Sequence, residues 1–195
     1  MDYKRHFRDL KLDLISNKVD IKLNSPKVGG FFSLRPGDKV VKDLLKSGAI
    51  LTGSRALKLY TFNGKPLLDR KADDWDFIVN EETMFKICEK HNEGDINIKD
   101  GDYYVRIRKQ KIRITQSYGG AIRILPTNIT LIVKDEPDFN QTKNGKVASL
   151  LHILEEKYKL SSHYSNLTRQ SGAWMYDDNK HDEDLKKIII RQNVS

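Results

Sequence analysis

The chain has 195 residues, of which 38% are hydrophobic and 32% charged, a balance typical of globular domains rather than disordered chains. No apolar run approaches the ~20 residues that a membrane-spanning helix requires, and the N-terminal segment lacks the continuous apolar stretch of a secretory signal. The formal net charge of +8 favours polyanionic partners, either nucleic acid or the phosphates of a nucleotide. We therefore expect a soluble, cytoplasmic protein without a membrane partner, and a single cysteine, Cys88, agrees with a reducing compartment.

Predicted helices and strands alternate through the first half of the chain. In order, they are a short amphipathic helix or strand at 2–15, a helix from Pro36 to Gly48, a strand at 49–51, a helix at 55–60, a strand at 75–79 and a helix that starts at Asn80. Gly48 has the position of a left-handed helix cap, and the apolar run at 49–51 is typical of a buried strand. Residues 61–73 are polar, and we expect a loop there with Asn63-Gly64 as a turn.

The second half of the chain begins with strands and ends with helices. Extended segments are predicted at 96–98, 103–108, 111–116, 121–125 and 129–133. Apolar residues then recur at helical spacing, first Val147, Leu150, Leu151, Leu154 and Tyr158, and later Leu185, Ile188 and Ile189. This order predicts an α+β protein with a core domain at 1–140 and a C-terminal helical region at 141–195 packed on that core.

A Gly-Ser pair ends the predicted strand at 49–51, and a helix follows at once. Such a junction presents free backbone N–H groups and a partial positive charge, which suits a phosphate. Gly53 would let the backbone approach the ligand, and the Ser54 hydroxyl would donate to a phosphate oxygen. Arg55 opposes the helix dipole unless a bound anion offsets its charge. Taken alone, however, the pair is explained as a plain helix cap, because Ser is favoured there.

Asp74 and Asp76 stand two positions apart in the next predicted strand, so both carboxylates point to one face. Trp75 and Phe77 point to the opposite face, into the core. The alternative is the exposed face of an edge strand, but Asp is disfavoured in strands. Two convergent carboxylates suit Mg²⁺ or Mn²⁺, which prefer oxygen ligands and can bridge nucleotide phosphates. Together with the Gly-Ser pair, they indicate phosphoryl chemistry.

The densest basic stretch alternates with apolar residues in the predicted strands near 103–116. Its cations are Arg106, Arg108, Lys109, Lys111 and Arg113. Alternation alone explains the pattern as the solvated face of a two-faced hairpin, and the other interpretation is a phosphate-binding surface. Near the C-terminus, His181 and Asp184 share a helix face, and we expect a surface pair there rather than a metal site.

The two motifs in this order resemble a known family. An apolar strand, Gly53-Ser54, a spacer and the strand DWDFI at 74–78 resemble the signature of the DNA polymerase β-like nucleotidyltransferase superfamily. The segments GSRAL and DWDFI look most like small stand-alone members from phages and large DNA viruses. The tail segments KYKLSSH and KHDEDL are similar to the helical ends of that group. For a viral protein, the expected compartment is the cytoplasm of the host cell.

The resemblance implies the superfamily's mixed β-sheet flanked by helices, with Asp74 and Asp76 as catalytic and metal-binding residues and Mg²⁺ or Mn²⁺ as the cofactor. It implies nucleotide-binding roles for Gly53, Ser54, Arg55, Lys157 and His163. The spacer between Ser54 and Asp74 is longer than usual. Full activity in the superfamily normally uses a third carboxylate on a later strand, for which the sequence offers Asp102, Asp135 or Glu136.

Different functional classes follow from these residues. The first is a metal-dependent nucleotidyltransferase that moves a nucleotidyl group from an NTP to an acceptor, which would be an RNA 3′ end, a protein hydroxyl or a small molecule. The basic stretch at 106–113 favours RNA, tRNA included. The second is a catalytically degenerate module that binds a nucleotide or nucleic acid, and the third is a toxin–antitoxin component.

Overall fold

A computed structural model of the chain describes residues 3–28, 36–72, 74–91, 97–99, 102–107, 110–115, 128–171 and 179–193. The protein is α+β, as the order of predicted elements indicated. Its helices are α1 (Tyr3–Ile15), α2 (Pro36–Lys46), α3 (Gly53–Leu57), α4 (Glu81–His91), α5 (Leu150–Ser171) and α6 (Asn179–Asn193). None of the helices in these ranges is both long enough and apolar enough to cross a membrane.

The strands form one large sheet and one small sheet. They are β1 (Ile21–Leu23), β2 (Ile50–Thr52), β3 (Tyr60–Phe62), β4 (Lys65–Pro66), β5 (Trp75–Val79), β6 (Asn97–Lys99), β7 (Asp102–Ile107), β8 (Gln110–Thr115), β9 (Ile129–Val133), β10 (Phe139–Thr142) and β11 (Gly145–Ala148). The large sheet has the order β10-β11-β2-β5-β9-β8-β7-β6, and the small sheet has the order β1-β3-β4.

The large sheet is mixed, and two neighbouring inner strands, β2 and β5, carry the predicted motifs. Strand β2 pairs antiparallel with β5, while β5, β9 and β8 are mutually parallel. All three residues of β2 are buried, and so are residues 77–79 of β5, because both faces of the sheet's centre are covered. This explains why the sequence reads as short continuous apolar runs here instead of strict alternation.

Several local predictions are confirmed. Of the two alternatives for the segment at 2–15, the structure shows a helix over residues 3–15, and Gly48 has φ +92° at the end of α2, as a left-handed cap requires. The Asn80 side chain caps α4, since its Oδ1 accepts a hydrogen bond of 2.8 Å from the Thr83 backbone N–H. The predicted strand at 129–133 is β9, whereas the one at 121–125 lies outside the described residues.

The predicted loop at 61–73 is wrong in part, because residues 60–66 form the hairpin β3–β4. Asn63 and Gly64 both have positive φ, which is the backbone of a tight two-residue hairpin turn. The strands are short, and β4 is fully exposed, so hydrophobic alternation gives no signal for them. Pairing of β3 with β1 supplies the backbone hydrogen bonds instead.

Residues 141–148, which the sequence grouped with the C-terminal helices, complete β10 and form β11. Val147 fits the helical spacing of the residues after it, but it pairs with Leu51 in the sheet. A turn at 143–144 and the unusual φ of +137° at Gly145 separate the two strands. The helices of the C-terminal region therefore begin at Leu150, and α5 packs against α6.

Candidate functional site

The structure brings the Gly-Ser pair and the Asp-x-Asp strand into direct contact. In the β2–β5 ladder Thr52 lies opposite Asp76, so Gly53 follows immediately beside the carboxylate. Gly53 has φ +67°, and a Cβ atom built there would lie 2.6 Å from Asp76 Oδ2. Any larger side chain at this position would force the Asp76 carboxylate to shift, and the positive φ also favours glycine.

Arg55 braces the start of β5. Its Nε donates a hydrogen bond of 2.9 Å to the Asp74 carbonyl oxygen, and its guanidinium lies 4.2 Å from the centroid of the Trp75 ring. A cation over an indole face is electrostatically favourable. These contacts hold the start of β5, which has Asp74 directly before it and Asp76 within it, and both aspartates are half-buried. A phosphate-binding role for Arg55 stays a prediction.

The Ser54 hydroxyl lies within a group of charged side chains that we call the Ser54 cluster: Ser54, Arg70, Lys157 and Asp184. Arg70 donates to Ser54 Oγ at 3.1 Å, and Lys157 approaches the same atom at 3.4 Å. The structure therefore places Lys157, one of the predicted nucleotide-binding residues, next to the predicted phosphate site. It is 3% exposed, not solvated on a helical surface.

Asp184 holds the two cations of the cluster together. Its carboxylate accepts hydrogen bonds of 2.8 and 2.7 Å from Arg70 and one of 2.8 Å from Lys157. Burial of the Asp184 carboxyl acts to raise its pKa, but the hydrogen bonds from Arg70 and the charge of Lys157 outweigh burial and hold the pKa below its ordinary value. Arg70 and Lys157 thus present two cationic groups beside the Ser54 hydroxyl, an arrangement that suits an anionic ligand.

The expected surface pair of His181 and Asp184 is wrong for Asp184, which is 2% exposed. The sequence carried a signal for this burial. Asp184 is adjacent to Leu185 and one helical turn before Ile188, so it lies on the apolar stripe of α6. A carboxylate on such a stripe needs a buried cation. Arg70 was missed as a functional residue because it lies in the segment that was read only as a loop.

The strand beside β5 carries no carboxylate at the level of Asp76. In the β5–β9 ladder Asp76 lies opposite Thr130, and in the β9–β8 ladder Thr130 lies opposite Arg113. Residues directly opposite in a sheet project from the same face, so Arg113 occupies that level two strands away from Asp76. Arg113 is 5% exposed. It is therefore not part of a solvated basic face.

Two of the three acids proposed for a third carboxylate lie beyond the end of β9, and the side chain of the third is not described. Asp135 and Glu136 follow the carboxyl end of β9, past Val133, and both are exposed. Glu136 accepts hydrogen bonds from Asn80 and Lys146 there. Asp102 begins β7, and its side chain lies outside the described residues.

The donor set at Asp74 and Asp76 suits a cation that is bound together with a nucleotide. Within the described part of the chain, no three His, Cys, Asp or Glu side chains are grouped as metal ligands. Mg²⁺, however, is usually held by one or two carboxylates with phosphate and water oxygens completing its shell. Asp74 and Asp76, with the Ser54 cluster next to them, fit that mode of binding better than a site in which the protein supplies every ligand.

His163, the remaining predicted nucleotide-binding residue, lies in α5, and its side chain is outside the described residues. The site therefore consists of Gly53, Asp74 and Asp76 at the β2–β5 junction, with the Ser54 cluster next to it. Comparison of the chain with protein-family models, curated proteins and solved structures gives no match.

Proposed function

We propose that the protein is a metal-dependent nucleotidyltransferase, with a nucleotidyltransferase-type fold, that moves a nucleotidyl group from an NTP to an acceptor hydroxyl. The observation that carries the proposal is the contact between Gly53 and Asp76, where an added Cβ would lie 2.6 Å from the carboxylate oxygen. This contact joins a candidate phosphate site to a candidate metal site, and phosphoryl transfer needs both in one place.

In this proposal the Ser54 cluster holds the phosphates that leave. The Ser54 hydroxyl and the Lys157 ammonium lie 3.4 Å apart, so both can reach one phosphate oxygen, and Arg70 lies 3.1 Å from the same hydroxyl. Asp184 keeps both cations in place before the ligand arrives. Charge that is positioned in advance costs no reorganisation during the reaction.

Asp74 and Asp76 would hold Mg²⁺ or Mn²⁺, which supplies positive charge at the phosphate and lowers the pKa of a hydroxyl. The acceptor oxygen forms a bond to the α-phosphorus, the bond from that phosphorus to the bridging oxygen breaks, and pyrophosphate leaves. The hydroxyl proton passes to solvent. Because this transition state needs mainly positioning and charge neutralisation, the protein need not supply a covalent nucleophile.

The test uses each of the four NTPs labelled at the α-phosphate, with Mg²⁺ or Mn²⁺ and bulk tRNA. We expect label on RNA or on the protein itself, and we expect Asp76→Asn to reduce it at least a hundredfold, as loss of a charge-stabilising group does. Asp135→Asn is the matched control, since it removes an exposed carboxylate outside the site. Equal labelling by the Asp76 variant would contradict the proposal.

A second candidate is a catalytically degenerate module that binds a nucleotide without transferring it. The observation that favours this function is that Thr130 and Arg113, and not a carboxylate, lie in line with Asp76 on β9 and β8. The same assay separates the two functions. NTP binding that depends on Lys157 but gives no label with either metal would support the module.

A further inference from the structure

Two rows of side chains run across the large sheet from the aspartates toward the outer strand β7. In the first row, the ladders align Asp76, Thr130, Arg113 and Tyr104. The second row is formed by the residues two positions earlier in the chain: Asp74 before Asp76, Asn128 before Thr130 and Lys111 before Arg113. Lys111 lies opposite Arg106 on β7. Because side chains two apart on a strand share a face, both rows project from the face that carries Asp76.

A side-chain contact agrees with this assignment of faces. The Lys111 Nζ lies 4.7 Å from the centroid of the Tyr104 ring. These residues belong to different rows and different strands, and they can meet only if both project from the same side of the sheet. The cation–π contact also holds the ammonium in place over the sheet.

The two rows differ in exposure. Thr130, Arg113 and Tyr104 are buried, whereas Asn128 and Arg106 are exposed and Lys111 is half-buried. The second row is therefore open to a ligand, whereas Thr130, Arg113 and Tyr104 in the first row are covered. Beyond β5, both rows contain cations and neutral residues and no acid. We call the open positions Asn128, Lys111 and Arg106 the basic track.

We propose that the basic track binds the strand of a nucleic acid whose 3′ hydroxyl is the acceptor at Asp74 and Asp76. This inference rests on the proposed function and names its acceptor class. Three strand spacings separate β5 from β7, which is about 14 Å at roughly 4.8 Å for each spacing. That length matches about four nucleotides stacked at 3.4 Å each.

The charges along the track favour a polyanion over a small molecule or a neutral protein hydroxyl. A small acceptor would occupy only the space beside the aspartates, and cations three strands away would contribute nothing to its binding. A chain of phosphates is the ligand that uses all these cations at once.

The experiment measures binding of fluorescent 12-nucleotide RNA and DNA single strands by anisotropy, over a series of salt concentrations and without NTP. We expect Arg106→Gln with Lys111→Gln to weaken binding several-fold and to reduce the slope of log affinity against log salt by about 1.4, since each phosphate contact on a single strand contributes about 0.7. Lys22→Gln on β1 removes an exposed cation outside the track, and it should leave the slope unchanged.

The outcomes separate this inference from the proposed function. Binding of ATP with Mn²⁺ should be the same in the track variant and the parent protein, because neither changed residue lies at Ser54. If the parent protein transfers no label but the track variant still loses oligonucleotide binding, the proposed transferase function is wrong and the basic track is a nucleic-acid-binding surface. Two results would contradict the proposed nucleic-acid surface. One is an unchanged salt slope in the track variant, and the other is a polyglutamate chain that binds the parent protein as tightly as the oligonucleotides do. A preference for RNA or for DNA identifies the acceptor.

Discussion

Helix α5 contributes residues to two charged clusters, which differ in how deeply their charged groups are buried. On one side, Lys157 joins Ser54, Arg70 and Asp184, and the pair Lys157–Asp184 is almost fully buried. On the other side, Lys134, His152, Glu156 and Lys159 form a second group, which we call the Lys134 cluster. Its closest ion pair, Lys159 to Glu156 at 3.0 Å, has an exposed ammonium.

The comparison teaches that charge alone does not mark the site on this helix. In the Lys134 cluster, the Lys159 ammonium is exposed and Lys134 and Glu156 keep partial contact with water, so the cost of losing a partner is smaller. In the Ser54 cluster, removal of one partner leaves a charge inside the protein, and that cost is large. The buried cluster is also the one that contains the Ser54 hydroxyl, which is predicted to bind a phosphate.

The largest expected effect comes from Asp184→Ala. This change leaves Lys157 buried without its carboxylate, and we expect the free energy of unfolding to fall by about 3–5 kcal/mol in urea titrations. The matched control is Asp182→Ala on the same helix, which removes a partly exposed carboxylate paired with Lys186 and should cost at most about 1 kcal/mol. Equal losses of unfolding free energy in the two variants would show that the buried ion pairs of Asp184 stabilise the protein no more than an exposed ion pair does.

The pH dependence of stability offers a second view of Asp184. Its pKa is lowered in the folded protein, so its contribution is complete above the ordinary value of about 3.9 and is lost as pH falls through the lowered pKa. The conservative variant Asp184→Asn should therefore show a shallower loss of stability below about pH 4 than the parent protein. If the parent protein and the Asp184→Asn variant lose stability equally steeply below about pH 4, the ion pairing of Asp184 is contradicted.

Gly53→Ala should have the next largest effect. The new methyl group would overlap Asp76 Oδ2, and φ of +67° is unfavourable for alanine. We expect a loss of about 2–4 kcal/mol, from the overlap and the backbone together, with a large loss of transfer activity. Gly64→Ala isolates the backbone contribution, since Gly64 has φ +74° and no atom within 4 Å of the added Cβ. It should cost about 1–2 kcal/mol and leave transfer unchanged.

The smallest effect is expected in the Lys134 cluster. Burial lowers the pKa of His152, and the nearby Lys134 lowers it further. The folded protein therefore keeps His152 neutral at a pH where the unfolded chain is already protonated, so stability should decline modestly as pH falls below about 6.5. NMR titration should place the His152 pKa below that value, and Lys134→Gln should raise it. A pKa above 6.5 would contradict the assigned environment.

The sequence predicted the parts of the site that depend on local pattern. Gly53 and Asp76 stand at the ends of short apolar strands, and each motif has a mechanism that can be stated without coordinates. Lys157 was reached through the resemblance alone. The contact between the motifs, however, depends on β2 pairing with β5, which no pattern in either strand specifies.

The remainder needed tertiary information. Arg70 lies in a segment without periodicity, and its partner Asp184 is 114 positions away in the chain. Arg113 alternates with apolar neighbours as a solvated residue would, and only the strand order β5-β9-β8 places it at the level of Asp76. Strand β11 was hidden because Val147 fits a helical stripe and a sheet equally well.

In the chain, Asp184 follows all the other residues of the Ser54 cluster, and this order has a consequence for the newly made protein. A ribosome delivers Ser54, Arg70 and Lys157 well before α6, and chains grow at about 5–20 residues per second. Until Asp184 has emerged from the exit tunnel, Lys157 lacks its carboxylate, and contacts between such distant residues form late. The cluster is therefore complete only after α6 has left the ribosome, so it cannot hold a phosphate during the folding steps that precede α6.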